Sequence, residues 1–262
     1  MIFDTLTPKQ LLFLEENYRL DSEYSSDDHS FTSEDLLILS KAEKFIDELS
    51  ESLGAPNNLV AASQFSKKYA FLLTAPFFTS LTLFNQLLDV RPDNCRVQPD
   101  SEHGIMRPVL YLHETNTRDI SSHREQELYI GLETIFRDHL TPVWGRLTEL
   151  TSIPSPILWE NTAVYLFWLY ETSFLNHPDL VSAERIAEDL EIILEAPAEC
   201  FGLNENPLKK FRHAKQTLLK SEPPVRVRKT CCLYYEVNPE RAFCKNCPRC
   251  LSGYTKDPKP TE

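Results

Sequence analysis

The chain has 262 residues, 42% of them hydrophobic and 25% charged, the balance of a globular protein with one large domain or two small ones. A net charge of −12 argues against general nucleic-acid binding. No apolar run reaches the roughly 18 residues that cross a bilayer, and no basic region leads an apolar core at the N-terminus, so stable membrane insertion and a signal peptide are not expected and the chain reads as cytoplasmic.

Thr7-Pro8-Lys9-Gln10 is a helix start: a cap, proline at the first helical position, and Gln at the capping-box site. The spacing predicts a short helix to about Leu20, then a polar loop over Asp21–His29. Thr32 or Ser33 caps a second helix, with Leu36, Ala42, Ile46 and Leu49 at helical spacing and Gly54 as its stop. Two tandem helices are expected over Asn57–Leu73 and Pro76–Val90, joined at Ala75-Pro76 and apolar over much of their circumference. Their aromatics Phe65, Tyr69, Phe71, Phe77, Phe78 and Phe84 read as core.

Between Arg91 and Asp119 the pattern changes. Arg96–Gln98 and Val109–His113 read as short strands around the polar turn Asp100–Gly104; Asp93, Asp100 and His103 suggest a metal site less strongly than they suggest a polar hairpin. A helix from Ser121 or Ser122 through Leu140 follows, restarting at Thr141-Pro142 through Leu150. Ile157–Leu175 is the most aromatic helix, and Pro178–Leu194 an amphipathic one. A last, basic helix is expected over Pro207–Leu219, then a linker, then a short strand around Val225 and Val227. Cys95 and Cys200 stand alone and read as buried. The fold expected is mainly α, a helical bundle with a small β-hairpin or short-strand insertion, divided into a helical scaffold over 1–220 and a cysteine-rich segment over 221–262.

That segment carries the chemistry. Five of the seven cysteines, Cys231, Cys232, Cys244, Cys247 and Cys250, fall within 25 residues, Arg226–Cys250. Thiols at short fixed spacings suit a thiophilic metal, because each thiolate must reach one centre. An iron–sulfur cluster, a structural zinc and a pair of disulfides compete. Cys244-x-x-Cys247 serves iron or zinc; the adjacent Cys231-Cys232 fits poorly into the two spaced knuckles of ordinary structural zinc. The surrounding charge is basic: residues 201–262 carry 13 Lys/Arg against 6 Asp/Glu, whereas residues 1–60 carry 4 against 13. The chain has six glycines and none forms a dinucleotide or phosphate-binding loop, so electrons for any redox step would come from an external donor, a protein or a small reductant.

Cys-Cys, about ten residues, then Cys-x-x-Cys near the C-terminus of a chain of this length resembles the ferric-siderophore reductases of the FhuF type. Upstream, Arg226-x-x-x-x-Cys231-Cys232-x-x-Tyr235 resembles that family's approach to its first cysteine pair, and Trp159-Glu160-Asn161 its Trp-x-Asn helix. The resemblance implies a [2Fe–2S] cluster on Cys231, Cys232, Cys244 and Cys247, and one-electron reduction of Fe(III) held in a siderophore. Two departures stand out. Eleven residues separate Cys232 from Cys244 where the family has ten, and Cys250 adds a second C-x-x-C, making it a reserve ligand. Arg226, Arg228, Lys229, Trp159 and Tyr235 become candidate substrate contacts. The alternatives are a zinc-stabilised interaction protein without enzymatic activity and an iron–sulfur redox sensor.

Overall fold

The computed structural model describes residues 4–21, 30–100, 104–217 and 224–249. A two-residue strand, β1 (Asp4–Thr5), leads into helix α1 (Pro8–Tyr18). The capping box forms as expected: Thr7 Oγ1 accepts from the Gln10 amide at 3.3 Å and Gln10 Oε1 accepts from the Thr7 amide at 2.9 Å. Arg19, in the left-handed region at φ 57°, ends the helix, and β2 (Leu20–Asp21) follows. The loop expected at Asp21–His29 lies almost wholly outside the described residues.

After β3 (Phe31–Thr32), the second predicted helix divides into a 3-10 turn, Ser33–Leu37, and α2 (Leu39–Leu53), separated by an extended Ile38. Gly54 at φ 57° stops α2, its amide bonded back to the Ser50 and Glu51 carbonyls.

The tandem-helix expectation is corrected. A single helix, α3 (Asn58–Phe84), passes through Pro76 without a break. Proline removes one backbone bond there, a loss of about 3 kcal/mol in an isolated helix. Here nearly every residue from Val60 to Leu83 is buried, so packing on all sides holds the helix across the defect. Asn85, left-handed at φ 58°, stops α3, and the chain continues as β4 (Gln86–Leu88) where helix was expected.

The expected hairpin forms from β5 (Cys95–Asp100) and β6 (Gly104–Leu112), and β7 (Asn116–Asp119) follows. The strands make two small sheets. One has the order β1-β7-β4, all antiparallel; the other β2-β6-β5-β3, with β2 parallel to β6. Of the suggested metal site, His103 lies outside the described residues.

Helix α4 (Arg124–Leu132) begins later than Ser122, widens into a π-helical stretch over Glu133–Leu140, and runs on as α5 (Thr141–Thr151). Helix α6 (Ser155–Trp168) packs along α3 and also ends in a π turn, Leu169–Ser173. Helix α7 (Ala183–Glu195) is capped by Ser182.

The basic helix expected at Pro207–Leu219 is also corrected: among its described residues, 207–217, only Lys209–Phe211 forms one 3-10 turn, and Gln216 pairs with Val225 as an isolated antiparallel bridge. Tertiary contacts override local propensity here. Leu208 and Phe211 are buried, and Lys209, Lys210, Arg212 and Lys215 pair with Glu195, Glu205, Glu191 and Glu171. Residues 218–223, where the expected boundary between scaffold and cysteine segment falls, lie outside the described residues. No helix among the described residues is long and apolar enough to cross a membrane.

The core is continuous from α1 to Phe211 and encloses a polar knot around Tyr69. The Tyr69 hydroxyl lies 2.6 Å from both Ser33 Oγ and His139 Nε2, and His139 Nδ1 donates to the Val90 carbonyl at 2.5 Å. Burial pushes the His139 pKa down to about 4. Because the unfolded imidazole titrates near 6.5, the unfolded chain binds one more proton between those values. Stability from this site is complete above pH ~6.5 and is lost as pH falls toward 4, about 3 kcal/mol in all. Chemical denaturation from pH 7.5 to 4.5 should therefore show falling stability, with a shallower fall in His139→Asn. An unchanged slope in the variant would remove His139 as the cause.

Candidate metal centre

Residues 224–249 lie against the first turns of α3 and the middle of α6. Two adjacent α6 residues organise them. The Glu160 carboxylate accepts the Lys229 and Thr230 amides, each at 2.7 Å, together with the Thr230 hydroxyl, and stands 3.6 Å from the Arg228 guanidinium. Asn161 Oδ1 accepts from Arg228 at 2.6 Å, while its Nδ2 donates to the Ser63 carbonyl and to Ser66 Oγ of α3. Both residues are fully enclosed. The two backbone amides and one guanidinium preceding Cys231 are thus fixed by α6.

Helix α3 fixes the next residues. Ser63 Oγ and Gln64 Nε2 both donate to the Cys232 carbonyl, at 2.8 and 2.6 Å. One turn on, Lys67 Nζ stands 3.9 Å from Cys232 Sγ and 5.1 Å above the Tyr234 ring. Leu233 takes a left-handed φ of 59°, which turns the chain back so that its amide faces Cys231 Sγ at 3.5 Å. The second knuckle closes by a Cys247 amide to Cys244 carbonyl bond of 3.0 Å, and the Arg228 amide donates to Asn246 at 2.8 Å, joining the two cysteine-bearing strands of chain.

These contacts bring Cys232 Sγ to 3.7 Å from Cys244 Sγ. Two thiolates on one tetrahedral metal, with bonds of about 2.3 Å, stand about 3.8 Å apart. The pair therefore already has the bite of a shared tetrahedral centre. Burial raises the Cys231 pKa. The Cys232 pKa is pulled down to about 5, first by the hydrogen bond with Cys244, then by the Lys67 and Arg228 cations. The Cys244 thiol is held well above its ordinary range by the same sulfur–sulfur contact and by burial. Metal binding needs thiolates, so a site that stabilises one thiolate and surrounds it with cations suits the donor set. No disulfide forms among the six described cysteines; Cys95 and Cys200 are buried as expected, and Cys250 lies outside the described residues. Among the described residues no group of three His, Cys, Asp or Glu side chains is set to hold a single ion.

The other residues singled out in the sequence separate. Trp159 is 3% exposed, packed between Phe136 and Phe201, and offers no face to a solute. Arg228, at 4%, is equally enclosed. Arg226 makes a two-pronged ion pair with Glu171 (2.8 and 3.1 Å) over the Phe167 ring. Lys229 reaches the Lys210 carbonyl. Tyr235 stands at the surface with Phe243 and Arg249. Sequence reasoning passed over Glu160, Ser63, Gln64 and Lys67. The signal was present: a carboxylate inside the most apolar helix, and polar side chains at i, i+1 and i+4 on one side of another.

A compact cysteine segment held against a helical body by buried polar contacts defines a metal-binding class, and comparison gives the family. The family described as ferric iron reductase FhuF-like transporter matches residues 63–219, more than half of the chain. The FhuF 2Fe-2S C-terminal domain matches residues 228–249, which include Cys231, Cys232, Cys244 and Cys247 and stop short of Cys250. The chain belongs to the FhuF-like family and carries a [2Fe–2S] cluster in its C-terminal domain, which displaces the zinc alternative. A comparison with curated proteins finds no match.

Glu160→Ala would leave two amides and a hydroxyl without their acceptor and the buried Arg228 guanidinium without its counter-charge. Removing one member of a buried charge pair costs about 3–5 kcal/mol, and here that cost falls on the cysteine segment. Iron and sulfide content per chain should drop severalfold while the far-UV helical signal persists. Full cluster content in the variant would show that Glu160 does not hold the loop.

Proposed function

We propose that this protein is a ferric-siderophore reductase, with Cys231, Cys232, Cys244 and Cys247 as the cluster ligands. The observation that carries the assignment is the Cys232–Cys244 sulfur pair at 3.7 Å beside the Lys67 and Arg228 cations, in a chain of this family. The bound cluster supplies one-electron reduction of Fe(III) presented as a siderophore complex; Fe(II) is held far more weakly by hard oxygen donors and leaves the chelator, in the cytoplasm on this reading.

The chain's own residues set the conditions for that transfer. Four thiolates and their iron carry net negative charge, which grows on reduction. Lys67 and Arg228 place two cations beside that charge, so they favour the reduced form. Glu160 and Asn161 hold Arg228 in place, and Ser63 and Gln64 hold the Cys232 backbone. Tyr234, under Lys67, covers the side facing α3. Tyr235, with Arg241 and Arg249 close to its ring, lies on the outer surface of the cysteine segment. Trp159 and Arg228, both enclosed, drop out as direct substrate contacts. The reductant enters from outside the chain, as a partner protein or a small molecule.

Two outcomes test this reading. Cys244→Ser and Cys247→Ser should each lose the visible absorption of the cluster and the reduction of ferric siderophores, followed anaerobically with a ferrous trap, while the helical far-UV signal stays. Either variant reducing ferric chelates at the wild-type rate would overturn the assignment. Lys67→Met should keep the cluster and lower its midpoint potential, on the order of 50 mV, close to a tenfold change in the one-electron equilibrium. Spectroelectrochemical titration of the two proteins measures it, and equal potentials would exclude Lys67 as a tuning residue.

A further inference from the structure

A cavity of about 340 Å3 opens between α6, the stretch around Phe211 and Lys215, and the cysteine segment. Phe167 and Trp168 give it an aromatic lining, and Lys245 and Asn246, the two residues between Cys244 and Cys247, line it too. An occupant would therefore lie against the backbone that joins two of the proposed cluster ligands. The charges lining it are unbalanced. Lys215, Arg226, Arg228 and Lys245 stand against Glu160 and Glu171. Glu171 is shared by Arg226 and Lys215, and Glu160 is matched with Arg228. Lys245 is exposed and has no ion-pair partner among the described residues. Trp168, 40% exposed, is the one solvent-facing tryptophan of three, since Trp144 and Trp159 are enclosed.

We propose that this cavity is the docking site of the ferric chelate, and that it selects chelates of net negative charge. The inference rests on the reductase reading and adds the place and the charge class of the substrate. An exposed indole beside excess positive charge suits a complex with an apolar face and an anionic exterior: the ring packs on the apolar face, and Lys245 takes the outward carboxylate oxygens. The volume is at the low end for small-molecule sites, about 300–1,000 Å3. It accommodates one face or one bidentate arm of a hexadentate complex, leaving the metal near the mouth beside residues 244–247.

Gallium(III) complexes separate docking from electron transfer, because they match ferric chelates in charge and shape and are not reduced. The oxidised holoprotein is titrated calorimetrically with the gallium complex of an anionic citrate-hydroxamate siderophore and with that of a cationic linear trihydroxamate. The wild type should bind the anionic complex at least tenfold more tightly. Trp168→Ala and Lys245→Glu should each weaken that binding about tenfold without loss of the cluster's visible spectrum, and Lys245→Glu should not weaken binding of the cationic complex. Equal binding of the two complexes, or unchanged binding in both variants, overturns the cavity assignment even where ferric chelates are still reduced. Charge-selective, Trp168-dependent gallium binding in a protein that reduces no ferric chelate would uphold the cavity and sink the reductase reading instead.

Discussion

A single buried carboxylate governs how the cysteines are presented. Glu160 sits on α6 with almost no exposure, and its oxygens take two backbone amides and a hydroxyl from the residues immediately before Cys231. Hydrogen bonds to a charged group contribute about 1.5–3 kcal/mol each, and an unpaired buried carboxylate costs more than any one of them returns. The loop, the carboxylate and Arg228 are therefore mutually dependent. Asn161 extends the arrangement to α3, so one pair of adjacent residues ties two core helices to the metal-binding segment.

That dependence explains how a segment with almost no regular secondary structure is held. Regular structure in residues 224–249 is limited to one 3-10 turn, an isolated bridge and the helical Pro248-Arg249, so ladder and helix hydrogen bonds are few. Their backbone groups are bonded to side chains of the helical body, or across the segment itself from Arg228 to Asn246. The family assignment adds a [2Fe–2S] cluster to this C-terminal domain. The same contacts bring Lys67 and Arg228 next to the Cys232 sulfur, so the groups that support the loop also set the charge beside it.

Much of this was legible in the sequence where the signal is local. The capping box at Thr7, the Gly54 stop and the β5–β6 hairpin follow from residue types at fixed offsets, and the cysteine spacing pointed to the family. What failed depends on distant neighbours. Pro76 is a helix breaker by itself, but burial of α3 on all sides outweighs its missing bond. Residues 207–217 have helical propensity, but burial of Leu208 and Phe211 and the bridge from Gln216 to Val225 hold them in another path. Strands of two to four residues are too short to show a period. Trp159, a candidate contact on sequence grounds, serves as core, whereas its neighbour Glu160, passed over in the sequence, is the residue that reaches the cysteine loop.

The most direct test is a single turnover. Protein with its cluster reduced by one electron is freed of reductant and mixed anaerobically with a ferric siderophore in the presence of a ferrous-specific chelator. One Fe(II) trapped for each cluster reoxidised, on the same time course, is the predicted result. Clusters that stay reduced with no Fe(II) trapped would contradict the account.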